Sequence, residues 1–409
     1  MIIDPRCFEQ NVKNIVSISG GKDSLAQWLL AIEAGVNFMP VFADTGHEHP
    51  QTMEYLDYLE SKLGPVTRVR ADFTRKIEKK RNFIANNWYQ GLIPDLMADR
   101  FEGCWALAPG YRIQEIPQHD GDEINVDEYL LYPNGRRERL IWPEAEPDDR
   151  YQVVTVNGFQ WKPAIKGLNQ QEAEIEAKSR VESALNSLRP TGIPFLDLCM
   201  WKGRFPSTKA RFCTFELKHE PIKVQVVDPL IMAGTKVISW QGVRAQESPQ
   251  RALLEPWEEG FDIGPRLAIY RPILKWTHDD VFALARRHGI KPNPLYQQGC
   301  SRVGCMPCIH ARKSELAEIF SRWPEEIARV AEWEKLVARC SRRGNSTFFP
   351  STQDPRKAEK RIDFVSLDSH GIETYRDWAL TTRGGTQFDL LANVDDHSVC
   401  NSVYAGICE

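Results

Sequence analysis

No apolar run in the 409 residues is long enough to cross a bilayer, so a helical membrane span is not expected. The opening Met1-Ile2-Ile3-Asp4-Pro5-Arg6 has no basic segment leading into an apolar stretch, which a secretory signal requires. A cytoplasmic protein is expected, and disulfides are disfavoured there. No biased segment interrupts a composition that is 42% hydrophobic and 26% charged, which argues against extended disorder. Nor is there an internal repeat, which argues against a solenoid. Positive charge is not in excess: the net charge of -4 and pI near 6.2 give no support to a nucleic-acid partner, although both average over any local basic face. What remains is a globular chain too long for one ordinary core, hence one large domain with insertions, or two domains.

The first seventy residues alternate strand and helix signals. Asn14-Ile15-Val16-Ser17-Ile18 is a short β-rich run that ends in a glycine pair. From Ser24, Leu25, Trp28, Leu29 and Ile32 recur at helical spacing, and Gly35 stands where such a helix stops. Phe38 to Ala43 reads as a second buried strand ending at Asp44-Thr45-Gly46. A helix from about Pro50 to Leu63 and a strand at Val66-Thr67-Arg68-Val69 follow. This order predicts an α/β fold with a parallel twisted sheet, helices on both faces and right-handed crossovers. Between about Phe73 and Leu188 the pattern breaks. Asn134-Gly135 and Asn157-Gly158, each set between β-favouring residues, predict hairpins. A helix is expected from about Asn169 to Leu188. Sheet-like signals resume at Lys223-Val224-Gln225-Val226-Val227 and at Thr235-Lys236-Val237-Ile238-Ser239. A helix capped by Thr277 is expected to run to His288. Helices rich in Glu and Trp follow Arg312, and the tail from about Cys340 is polar and mixed.

Ser19-Gly20-Gly21-Lys22-Asp23-Ser24 lies between a buried strand and a helix. Glycines let the backbone turn tightly and approach an anion, and the amides of the new helix point at it. Lys22 adds a charge, and Ser19 and Ser24 add hydroxyls. The usual P-loop would need glycine where Val16 stands, and Ser or Thr where Asp23 stands.

This hexapeptide resembles the pyrophosphate loop of the N-type ATP pyrophosphatases (adenine nucleotide alpha hydrolase-like). More narrowly, the chain resembles the phosphoadenosine phosphosulfate (PAPS) reductase family. The resemblance is carried by the loop, by Ala43-Asp44-Thr45-Gly46-His47-Glu48-His49-Pro50-Gln51-Thr52, by Gln241-Gly242-Val243-Arg244-Ala245-Gln246-Glu247-Ser248, and by Arg271-Pro272-Ile273 to Trp276-Thr277 with Pro294-Leu295-Tyr296. It covers about 14–72 and 205–315. It implies that Ser19, Gly20, Gly21, Lys22, Asp23 and Ser24 hold the phosphates of ATP or the sulfo-phosphate end of an adenylyl sulfate (APS) or PAPS. Asp23 is implied to help hold magnesium, Asp44 and Gly242 to line the nucleotide site, and Arg244 to neutralise phosphate charge. Lys22, Asp23 and Arg244 are the catalytic candidates. Chemistry of this kind is mostly positioning and charge stabilisation.

Ten cysteines need an explanation. Cys7, Cys104, Cys199 and Cys340 are expected as small buried apolar residues. Cys300, Cys305 and Cys308 crowd into nine residues with Gly299 and Gly304, and Cys213 lies in the family-like Arg211 to Lys218. Four thiolates suit an iron–sulfur cluster or a structural zinc, and spacing alone does not choose. The resemblance favours a 4Fe-4S cluster. Adenylyl-sulfate reductases use a Cys-Cys pair and a later Cys-x-x-Cys, but Phe212 stands at the first position of that pair, so Cys300 is expected to supply the missing ligand. Their Glu-Cys-Gly-Leu-His-like segment is also absent from Tyr404-Ala405-Gly406-Ile407-Cys408-Glu409, which leaves Cys400 and Cys408 as incidental or as a redox pair.

The leading expectation is an ATP pyrophosphatase that adenylates an acceptor, a nucleic acid or a small molecule, for sulfur transfer beside an iron–sulfur cluster. The alternative is a PAPS or adenylyl-sulfate reductase that releases sulfite through Cys400 or Cys408 with a thioredoxin-like donor. A nucleotide-sensing module without turnover is the third. The expected organisation is 1–72 and 191–312 as two parts of a nucleotide-binding domain, 73–190 as an insertion with hairpins and a helix, and 313–409 as a helical region with a polar tail.

Overall fold

The computed structural model describes residues 3–98, 104–108, 110–120, 123–143, 155–162, 167–259, 264, 266–349 and 367–381. The chain divides into two compact units. Among the described residues, the second lies within Phe83–Glu182, and the first takes the rest.

The first unit is built on a six-stranded sheet. Its strands are β1 (Val12–Ile18), β2 (Phe38–Asp44) and β3 (Thr67–Arg70), then three from later in the chain. The second unit carries two small antiparallel sheets made from β4 (Cys104–Leu107), β5 (Arg112–Asp120), β6 (Glu123–Leu131), β7 (Arg137–Arg139), β8 (Thr155–Val156) and β9 (Phe159–Lys162). Both Asn-Gly signals are hairpin turns there, joining β6 to β7 and β8 to β9. Asn157 takes a positive φ of 46°, a backbone state that asparagine tolerates better than most residues. The chain then returns to the large sheet through β10 (Lys236–Trp240), β11 (Trp257–Glu259) and β12 (Leu267–Tyr270).

The large sheet has the order β11-β12-β10-β1-β2-β3, with every pair parallel except β11 on β12. Its two faces are read directly from the strands, because successive side chains point to opposite sides. Val16, Ile18, Phe42 and Ile238 share one core with Trp28, Leu29, Leu56, Leu59, Val281 and Leu284 from the helices Lys22–Ala34, Pro50–Leu63 and His278–Arg287. Ile15, Val41, Ala43, Val69, Val237 and Leu267 form the other core with Ile222, Val226 and Val227. This is the expected α/β fold with helices on both faces.

One expected strand is helical. Residues 223–227 belong to a run of short α and π turns over 212–232, with π turns at Phe215–His219 and Lys223–Val227. The apolar residues at 222, 226 and 227 suit a helical face as well as a strand, since a short apolar run has no unique period. The sheet decides: these side chains cover its second face, and the parallel strand β10 must be reached by a crossover, which is usually helical. The Thr277 cap forms as expected, with Oγ1 accepting the Asp280 amide at 3.2 Å.

The C-terminal helices Lys313–Arg322, Pro324–Arg339 and Ile372–Leu380 form the expected helical region. Glu334 ties the second of these to the third. Its buried carboxylate accepts the amides of Phe348 at 2.6 Å and Ile372 at 2.9 Å. Burial pushes its pKa from 4.5 to about 7 despite those two bonds, with Glu373 adding a little. The folded state therefore holds a proton that the unfolded chain releases, so the associated stability is present below pH 4.5 and lost as pH rises to about 7. Thermal melting across this range should show a midpoint that falls with rising pH, and Glu334→Gln should flatten that slope.

Candidate nucleotide site

Strand order places the site. From β1 the chain moves one way to β2 and β3, and from β10 it moves the other way to β12. The crevice beyond the carboxyl ends of β1 and β10 is therefore the switch point where open α/β sheets bind ligands. Ser19–Ser24 follows β1 into its helix, and Gln241–Arg244 follows β10.

The loop is closed on itself. The Ser19 amide donates to Ser24 Oγ at 3.1 Å, the Gly21 amide to Ser19 Oγ at 3.3 Å, and Ser24 Oγ to the Gly21 carbonyl at 2.9 Å. Gly20 is required: its φ is +79°, and a Cβ there would stand 2.8 Å from Thr52 Cγ2. The Asp23 carboxylate is fully buried. One oxygen accepts Arg244 Nε at 2.6 Å, and the other lies 3.1 Å from Lys22 Nζ. Arg244 also reaches Gln246 Oε1 at 3.2 Å. The expected magnesium ligand thus already holds two cations. Gly242 makes this approach possible, because a Cβ there would press on Asp23 backbone atoms at 3.2 Å.

The Arg-x-x-Glu-Ser segment is also used locally. Glu247 accepts the Arg244 amide at 2.8 Å and Arg251 Nη1, and Ser248 caps the turn Pro249–Ala252. Asp44, at the end of β2, accepts the Gly46 amide at 2.8 Å and lies 3.5 Å from Arg70 Nε. The structure therefore brings Ser19, Gly20, Gly21, Lys22, Asp23, Ser24, Gly242 and Arg244 together, with Asp44 on the same sheet edge.

The cysteines are arranged otherwise than expected. Among the described residues no three His, Cys, Asp or Glu side chains form a group able to hold a metal ion. Cys213, Cys305 and Cys308 feel one another electrostatically, whereas Cys300 responds to Glu315, Glu318 and Arg322. Burial pushes the thiols of Cys213 and Cys300 up to about 11 and that of Cys305 up to about 12. The Cys305 loop is held by protein contacts. Its Met306 amide donates to the His47 carbonyl at 2.9 Å, His47 Nε2 lies 2.9 Å from the Pro307 carbonyl, and Arg329 donates to the Met306 carbonyl at 2.7 Å. Cys7, Cys199 and Cys340 are buried as expected; the side chain of Cys104, and all of Cys400 and Cys408, lie outside the described residues.

Three residues near Cys305 lie in the family-like segments but have no assigned role there. Thr45 Oγ1 donates to Glu48 at 2.6 Å and lies 3.8 Å from Cys305 Sγ, while the charge of Lys218 acts on Glu48, Cys213 and Cys305. Burial raises the Glu48 carboxyl. His47, in contrast, is a core residue: it stacks on Phe195 at 4.3 Å, and burial holds its pKa well below the usual value. Residues 211–218 and 305–308 meet only through the fold, so spacing along the chain could not pair them.

A sequence model of the phosphoadenosine phosphosulfate reductase domain matches residues 13–101 and 193–311, half of the chain. The chain belongs to this family. Its members are enzymes, and the matched segments contain the loop, Asp44, Arg244 and the four clustered cysteines. Among relatives, an "uncharacterized 37.8 kDa protein in gpa 5′ region" of Escherichia phage 186 is 57% identical over 408 residues and the full length of both chains. The adenosine 5′-phosphosulfate reductase of Neisseria meningitidis serogroup B is 31% identical over 29% of this chain and 50% of its own length. That of Burkholderia cepacia is 32% identical over 29% of this chain and 43% of its own. The chain thus spans half or less of these reductases. A crystal structure of phosphoadenylyl-sulfate reductase from Candida auris, a phosphate complex, aligns at a TM-score of 0.32 and 12% identity over 74% of this chain and 84% of that one; likeness at that level carries no argument. Among the described residues of this PAPS reductase-domain chain, no helix is long and apolar enough to cross a membrane.

Gly242→Val is expected to force β10 away from the phosphate-loop helix and to lower stability in urea by about 1–3 kcal/mol. Protein prepared anaerobically with iron supplied should carry sub-stoichiometric iron and zinc by elemental analysis, because no metal-holding group is found among the described residues.

Proposed function

We propose that this chain is a sulfonucleotide reductase that takes adenylyl sulfate or its 3′-phosphorylated form. The convergence of Ser19–Ser24 and Arg244 on the switch-point crevice carries this reading, in a chain of the reductase domain family. The sulfo-phosphate end lies at the loop, where helix amides and Lys22 face an anion. Arg244, released from Asp23, balances phosphate charge. The relatives named as adenosine 5′-phosphosulfate reductases support the substrate class.

In this reaction a cysteine thiolate attacks the sulfur of the sulfo group, and the bond from that sulfur to the bridging oxygen breaks. AMP, or adenosine 3′,5′-bisphosphate, leaves with the electron pair. A second thiol, from a thioredoxin-like donor, then attacks the S-sulfonated cysteine, forms a disulfide and expels sulfite. Cys400 and Cys408 are the candidates for the first thiol. A 4Fe-4S cluster or zinc on Cys213, Cys300, Cys305 and Cys308 does not fit the arrangement found, so no step runs through one.

The loop itself favours a second reading. Lys22-Asp23-Ser24 suits a pyrophosphate leaving group, as in an ATP pyrophosphatase that adenylates an acceptor for sulfur transfer. Two parallel assays separate the readings: thiol-dependent sulfite release from adenylyl sulfate, and pyrophosphate release from ATP. The wild-type chain should release sulfite, and Lys22→Ala should reduce that rate by about 100-fold or more, the scale on which a charge-stabilising group acts. Pyrophosphate from ATP without sulfite would reverse the order of the two readings, and silence in both would leave a nucleotide-sensing module.

A further inference from the structure

The first amide of the phosphate-loop helix, that of Lys22, points out of the helix end, and no carbonyl within the helix can accept it. It is the donor an entering phosphate oxygen would take. In this chain it is already satisfied from far along the sequence, donating to Tyr296 Oη at 3.0 Å.

The tyrosine is held there by its backbone turn, which is anchored independently of the ring. Asn293, buried at the start of the turn Pro294–Gln297, donates from Nδ2 to the Gly20 carbonyl at 3.2 Å and accepts the Leu295 amide on Oδ1 at 3.0 Å. This fixes the turn against the loop without using Tyr296. The Tyr296 ring is half-buried, edge-on to Phe282 at 5.8 Å and 5.4 Å from Lys22 Nζ. Beside it lies a small cleft lined by Lys22, Leu25, Tyr55, Phe282 and Asn293.

We propose that Tyr296 is a positioning residue that stands in for the phosphate. Its hydroxyl oxygen accepts the Lys22 amide and keeps the loop in its anion-binding shape, and a bound anion takes that amide in its place. The inference rests on the reading of Ser19–Ser24 as the anion-binding loop. It makes Tyr296 a competitor of the ligand for one hydrogen bond, so removing its hydroxyl should tighten binding.

The test compares wild type with Tyr296→Phe by calorimetric titration of inorganic pyrophosphate and of adenosine 5′-phosphosulfate, and by hydrogen exchange at the Lys22 amide. Tyr296→Phe should bind pyrophosphate about 2- to 10-fold more tightly, the worth of one neutral hydrogen bond. Its Lys22 amide should exchange faster in the free protein and as slowly as wild type in the complex, with exchange in β1 and β10 unchanged. Equal or weaker binding by the variant, or unaltered Lys22 exchange in its free form, overturns the placeholder alone. A wild-type chain that binds neither anion overturns the reading of the loop, and the placeholder with it.

Discussion

The site depends on one buried carboxylate. Asp23 sits at the start of the helix that follows β1, with Lys22 Nζ on one oxygen and Arg244 Nε from beyond β10 on the other. A buried carboxylate without partners would be costly, and losing one partner of a buried pair typically costs about 3–5 kcal/mol. The two neighbouring strands at the switch point are thereby tied at their carboxyl ends. The surroundings serve this contact. Gly242 removes the side chain that would hold β10 off the helix, and Glu247 fixes the Arg244 backbone. A second tie from Asn293 fixes the loop from its other side.

The same arrangement satisfies the polar groups of the crevice from within the protein. Helix amides, a lysine and an arginine gathered in a crevice would repel one another and go unsatisfied. Here Asp23 accepts Arg244 Nε, and Ser19, Ser24 and Tyr296 accept loop amides. On the proposed reading of the loop, binding exchanges these internal acceptors for those of the ligand. The nearby cysteine loop is supported in another way, through His47 and Arg329 acting on backbone carbonyls. Its shape therefore draws on protein hydrogen bonds between the end of β2 and the helix Pro324–Arg339.

Much of this was legible along the chain. Alternating buried runs and helical spacings located β1, β2, β3 and their helices, because a strand buried on both faces and an amphipathic helix leave different periods. Glycine-rich punctuation located the loop, and Asn-Gly located both hairpins. Residues 223–227 were misread because a short valine-rich run fits either period, and only the sheet face that it covers resolves the choice. The expected grouping of Cys300 with Cys213, Cys305 and Cys308 is not found among the described residues, for a related reason. Closeness in sequence placed Cys300 with the group, whereas the charges acting on its thiol are those of Glu315, Arg322 and Glu318.

The sequence by itself determined the fold class, the loop and the family resemblance, since each is written in local pattern: residue type, spacing and order. Only the tertiary structure decided that Asp23 holds Lys22 and Arg244, that Tyr296 meets the Lys22 amide, and that Thr45, Glu48 and Lys218 gather near Cys305. These partners lie up to 274 residues apart, and nothing in local spacing encodes which distant side chain a sheet will bring to its edge. That choice belongs to strand order, which is set by packing of the whole core.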